Sequence, residues 1–157
     1  MLFLTEIQHF IVKEETLTVA VITKYLKLAT HGNAESINIT SYLSEELEYT
    51  ELKNGVLTVF VPGATGALTT IEFEPGLIQD LNELWERIIP SQKTYNHDRA
   101  WGDGNGHSHI RASLLGPSLS IPFSTGEFTL GTWQQVVFID FDNRSRSRKL
   151  VLQFVGE

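Results

Sequence analysis

The chain has 157 residues, 41% of them hydrophobic, and a formal net charge of −7; this suits one compact domain and argues against a general nucleic-acid binder, because a phosphate-neutralising surface has to be basic. With no cysteine, a disulfide framework, a thiolate zinc site and a cysteine nucleophile are excluded, so any metal has to be held by His, Asp or Glu. The opening MLFLTEIQHFIVKEE carries Glu6 where a secretory leader needs an unbroken apolar core, and the longest uncharged stretch, Asn54 to Ile71, is interrupted by Pro62, Gly63 and Gly66; a cytoplasmic chain without a membrane span is expected.

Residues 3–12 and 17–29 are rich in Thr, Val, Ile and aromatics, with Lys13-Glu14-Glu15 able to turn one strand into the next. His31-Gly32-Asn33 reads as a turn. Ile37 to Ile39 then leads into Thr40 or Ser41, either of which can cap a short helix over Leu43 and Leu47. The run Val56 to Val61 is β-prone and apolar on both faces, which predicts a strand in the middle of a sheet, ended by Pro62-Gly63. Pro75 opens the strongest helix: Leu77, Leu81, Leu84, Trp85 and Ile88 recur at spacings of three and four as a packing stripe, and Pro90 stops it. Residues 91–108 are polar and Gly-rich and read as one long loop. Four β-prone runs follow, near 110–114, 118–123, 127–142 (broken at Gly131) and 148–155. Without repeats or linkers, the expectation is one domain over 1–157, of α+β class with strands in the majority.

Three stretches carry candidate chemistry. In an extended segment, residues two apart point the same way, so His107 and His109 could present both imidazoles to one ion; the alternative is two solvated loop residues. His97 would add a nitrogen, and Asp98, Asp103, Glu72 and Glu74 oxygens, a set that suits zinc or another divalent ion. A cupin would place Glu four or five residues after this HxH, but Ser113 and Leu114 stand there. Arg144, Arg146, Arg148 and Lys149 fall within six residues and form either a diphosphate site or a solvated basic turn. Gly63-Ala64-Thr65-Gly66-Ala67 lets backbone amides approach an anion, or is simply a tight turn, and it lacks the Lys of a P-loop. Trp101 and Trp133 read as packing residues or site walls.

The run Gly126 to Gln134, of form GxxxxGTWQ, resembles the signature of the YjbQ-like family, associated with secondary thiamine-phosphate synthase activity and largely uncharacterised. SHIRASLLGPSLSIPFSTGEFTLGTWQ, GALTTIEFEPGLIQDL and the closing SRKLVLQFVGE are similar to the family's corresponding segments. The likeness covers roughly 25–157 and leaves 1–24 as an extension. It implies an α+β fold built around a β-sandwich with one or two helices, assembled as a homotrimer with clefts near subunit boundaries. Carried over residue by residue, it makes Glu72, His97 and His109 candidate catalytic groups and Ser118, Thr132 and Gln134 candidate ligand contacts, beside Trp133. His97 and His109, with His107 as auxiliary, would hold a divalent ion, zinc or magnesium. Arg111 or the 144–149 cluster would assist in binding a small phosphorylated molecule.

The implied reaction is a transfer in which hydroxymethylpyrimidine diphosphate joins a thiazole phosphate and releases diphosphate. The competing expectation is a trimeric metal- or small-ligand-binding protein without that catalysis. One departure stands out: where the family has His followed by Thr and Thr or Ser, this chain reads Gly63, Ala64 and Thr65.

Overall fold

In a computed structural model of the chain, residues 18–157 are described; the expected strand over 3–12 and the turn at 13–15 lie outside them. The elements run β1 (Ala20–Thr30), β2 (Glu35–Asn38), α1 (Thr40–Glu48), β3 (Gly55–Phe60), β4 (Gly66–Ile71), α2 (Pro75–Ile88), α3 (Asn96–Trp101), α4 (Gly106–Leu115), β5 (Ser118–Ser124), β6 (Glu127–Phe128), β7 (Gln135–Asp140) and β8 (Arg146–Gly156). The strands form two antiparallel sheets, one ordered β1-β8-β3-β5-β6 and the other β2-β7-β4.

Between the sheets lies the larger core. Leu57 and Val59 of β3, Leu150, Leu152 and Phe154 of β8 and Phe138 of β7 are buried there beside Leu43 and Leu47 of α1. Each such side chain contributes roughly 1.5–3 kcal/mol by leaving water. A second core on the far face of the small sheet joins Ala67, Val137, Ile139 and Phe141 to Trp85 of α2 and Ala112 of α4. The order is therefore sheet, core, sheet, core, helices. It explains why β7, read from sequence only as part of a long β-prone run, carries Val136 to Asp140 buried on both faces.

The β3 expectation needs adjusting in one respect. The strand does lie inside its sheet, between β8 and β5, but its outer face stays open, with Val56 and Phe60 exposed. Register aligns Val56 with Val155 and Val21, and Phe60 with Val151 and Tyr25, so two apolar rows cross the outer surface of the large sheet.

Helix ends differ from expectation in instructive ways. The N-cap of α1 is Ile39 without a side-chain cap bond; Thr40 instead uses its hydroxyl on Asn38 and on the Val136 amide (2.7 and 2.8 Å), tying the helix to β7. In α2, Glu74 caps the amides of Gly76 and Leu77 and Pro75 follows it. Ile88 of the expected stripe is 49% exposed and Ile89, just past the helix, is buried in its stead.

The largest difference concerns 91–115. The expected long loop and the β-prone run at 110–114 contain α3 and α4. The buried positions of α4 are 106, 107, 108, 111 and 112, occupied by Gly, His, Ser, Arg and Ala, so apolar periodicity could not reveal the helix.

Candidate functional site

Tyr95, Asp98 and Gly106 hold α3 against α4. The Asp98 carboxylate accepts the amides of Tyr95 (2.7 Å) and Gly106 (2.8 Å), and these two bonds lower its pKa below the usual carboxylate value. Gly106 is required there, because a Cβ would lie 2.5 Å from the Tyr95 Cβ. This clamp brings His97 of α3 and His109 of α4 together, with ring centroids 4.4 Å apart and planes inclined by 49°.

Asp103 stands beside the pair, 3.7 Å from His97 Nε2. With its amide nitrogen assigned to the side facing Asp103, the buried Asn105 donates to both Asp103 carboxylate oxygens (3.1 and 3.2 Å), and Asn143 donates to the Asp103 carbonyl (2.8 Å). Partial burial, and then the neighbouring His97, lower the His109 pKa, which favours a neutral imidazole. Next to His109 opens a cavity of about 330 Å³, walled by the Gly63–Gly66 loop together with Ala112, Ser113 and Pro117.

The HxH chelate is not formed. His107 and His109 lie on a helix, where two residues turn the side chain by about 200°, so His107 points inward. It is 4% exposed, with Nδ1 unpartnered and Nε2 3.3 Å from the Ser108 hydroxyl. Burial, followed by the charge of Arg111, depresses its pKa. His107 does not line the cavity that Gly63 borders.

Arg111 is likewise committed to the fold. Only 3% exposed, it donates from Nε and Nη2 to the Ile89 carbonyl (3.0 and 2.6 Å) and from Nη2 to Glu86 (2.6 Å), closing the C-terminus of α2. Its hydrogen bond is the main reason the Glu86 pKa is lowered.

Two cations of the basic run are engaged by buried aspartates. Arg148 donates to both oxygens of the fully buried Asp140 (2.7 and 2.5 Å) and to Thr65 (2.9 Å), and Arg146 donates to the buried Asp142 (2.7 Å). Burial raises the Asp142 pKa, but Arg146 and Thr65 outweigh it and the net shift is downward. Lys149 packs 3.8 Å from the centroid of the Tyr25 ring. Thr65 donates to Asp142 (3.0 Å), so the Gly63–Ala67 turn is one side of this ionic clasp.

Glu72, Thr132, Trp133 and Gln134 gather elsewhere, around an open groove of about 390 Å³. Gln134 closes its own turn by accepting from the Gly131 amide (3.1 Å) and donating to Thr70 (3.0 Å). The exposed Trp133 is a wall of the groove rather than core. Gly66 lines the first cavity and Ile71 the second; five residues of strand β4 at about 3.4 Å each put the two about 17 Å apart. Ser118, exposed opposite Phe60 in β5, lines neither. One chain thus divides the expected site residues between two places. Asn105 and Asn143 carry no spacing signal in the sequence, being isolated polar residues outside the regular elements.

The model of the UPF0047 protein YjbQ-like family matches residues 24–157. The chain belongs to that family. A UPF0047 protein of Archaeoglobus fulgidus is 37% identical over 128 residues, covering 82% of this chain and 97% of the relative. One from Methanothermobacter thermautotrophicus is 36% identical over 137 residues, covering 87% and 94%. Among solved structures, a YbjQ-like protein of unknown function from Sulfolobus solfataricus P2 superposes with a TM-score of 0.84 at 26% identity, covering 89% of this chain and 100% of the other. A hypothetical protein from Aeropyrum pernix K1 gives 0.81 at 30% identity, covering 87% and 99%. The α+β sandwich expected from the family resemblance is thus the fold of this UPF0047 chain. No helix among the described residues is long and apolar enough to cross a membrane.

Proposed function

We propose that this chain is a small-molecule transferase of the thiamine-phosphate synthase type, acting at the face that carries His97 and His109 and working as a homotrimer. The observation that carries this reading is the histidine pair, 4.4 Å between centroids, with Asp103 at 3.7 Å, beside a cavity of about 330 Å³. In the reaction the bond between the pyrimidine methylene and the diphosphate oxygen breaks, its electron pair leaves with diphosphate, and the thiazole nitrogen forms the new C–N bond. A cationic carbon develops, and a neutral His109 beside the Asp103 carboxylate suits it electrostatically.

A protein-held divalent ion does not fit one chain. Catalytic zinc takes three protein donors and magnesium prefers oxygens, whereas among the described residues no group of three His, Asp or Glu is placed to hold a metal ion, and His107 faces inward. The apolar rows Val21–Val155–Val56 and Tyr25–Val151–Phe60 support self-association, since a flat apolar sheet face favours cover. Light scattering should give about three times the 17.7 kDa chain mass.

The test is incubation of the purified chain with hydroxymethylpyrimidine diphosphate and hydroxyethylthiazole phosphate. Thiamine phosphate should form, and His97→Asn and His109→Asn should each lose it. Absence of product would refute the reading. The second reading, a binding protein without turnover, is favoured by the lack of any Lys or Arg lining the cavity, and it requires that the diphosphate ester bind and remain intact.

A further inference from the structure

We propose that the cavity beside His109 is a subsite for a flat, uncharged heteroaromatic ring, while any phosphoryl group of the ligand lies outside it. This rests on the reading of the His97–His109 face as the ligand site and assigns which part of the ligand that face takes.

The lining decides the chemistry. Gly63, Ala64, Gly66, Ala112 and Pro117 offer methyl groups, methylenes and peptide planes, surfaces that bind by apolar contact and carry no formal charge. No Lys or Arg lines the cavity to meet a phosphate: Arg148, whose Nη1 approaches Gly63 from outside that lining, has its Nε and Nη2 on Asp140 and Thr65, and Arg111 serves the Ile89 carbonyl.

The polar groups suit a ring edge instead. Neutral His109 can donate from one ring nitrogen and accept at the other. The Ser113 hydroxyl gives its proton to the Ile110 carbonyl (2.8 Å) and keeps its lone pairs for a ring amino group. Among the described residues, no protein acceptor meets the amides of Gly63, Ala64 or Thr65, which leaves donors in the loop for a ring nitrogen. At about 330 Å³ the space is at the small end of ligand sites, which span roughly 300–1,000 Å³. One ring with short substituents matches it.

The test uses amide-resolved NMR of the full chain titrated with uncharged 4-amino-5-hydroxymethyl-2-methylpyrimidine and, separately, with inorganic phosphate. The pyrimidine should shift the amides of Gly63, Ala64, Gly66 and Ser113 saturably, and phosphate should leave them in place. Ala64→Phe and Ser113→Phe, both at exposed positions and so tolerated by the fold, should weaken pyrimidine binding at least tenfold with the rest of the spectrum preserved.

Shifts centred elsewhere, no shift at millimolar pyrimidine, phosphate moving the same amides, or wild-type affinity in both variants would each overturn the assignment. Ring binding here without thiamine phosphate formation would retain the subsite and remove the synthase reading. Thiamine phosphate formation unaffected by both variants would remove the subsite alone.

Discussion

Replacing Arg148 by methionine tests whether the basic run at 144–149 is structural. Arg148 bridges β8 to Asp140 and Thr65, with its side chain only 12% exposed, and Asp140 and Asp142 are 0% and 1% exposed. Methionine preserves the aliphatic volume and removes the guanidinium, leaving Asp140 with only the Thr30 hydroxyl (2.6 Å) and the Asp142 amide (3.0 Å) as donors. Removing one partner of a buried ion pair costs about 3–5 kcal/mol. At about 2–4 °C per kcal/mol for a chain of this size, Tm should fall by about 6–20 °C.

Urea unfolding at pH 7 reads the loss directly, and its pH dependence identifies the cause. In the wild type the lowered pKa of Asp142 contributes stability that is present above the unfolded value near 3.9 and lost as pH falls through the folded one. In Arg148→Met a proton can take the place of the missing cation on the buried carboxylates, so the gap to wild type should narrow between pH 7 and pH 4. Asp140→Leu added to Arg148→Met should recover part of the loss. A single variant within about 1 kcal/mol of wild type, or a gap that widens in acid, would refute the buried-pair account.

Further outcomes follow from other contacts. His107→Leu removes an unpartnered buried Nδ1 and should be neutral or stabilising by up to about 2 kcal/mol; because the folded pKa of His107 is depressed, wild-type stability should decline as pH falls below about 6.5, and the variant should lose that part of the slope in pH-resolved urea melts. Gly106→Ala sets a methyl group against Tyr95 and Asp98 and should cost about 1–3 kcal/mol, read as a lower Tm. Glu74→Ala deletes the α2 cap and should cost about 0.5–2 kcal/mol by the same assay; no change would show that the capping bonds contribute nothing net.

The sequence by itself determined what local patterns encode. Alternation and β-branching placed β1, β3, β5 and β8; Pro75 and the Leu77–Trp85 spacing placed α2, because period and backbone chemistry are properties of neighbours along the chain. The GTWQ run and its surroundings carried the family, and with it the sandwich.

Tertiary structure decided the rest. α4 was invisible because its inward face carries His107, Ser108 and Arg111, whose burial depends on Ile89, Glu86 and Tyr95 arriving from elsewhere in the chain. Whether a cation is free is also non-local: Arg146 and Arg148 look available in sequence and are neutralised by aspartates four and eight residues away across a turn, with Thr65 a further partner. The site divided for the same reason. Residues two apart separated on a helix, residues twelve apart met as His97 and His109, and only the packing of α3 on α4 chose between those arrangements.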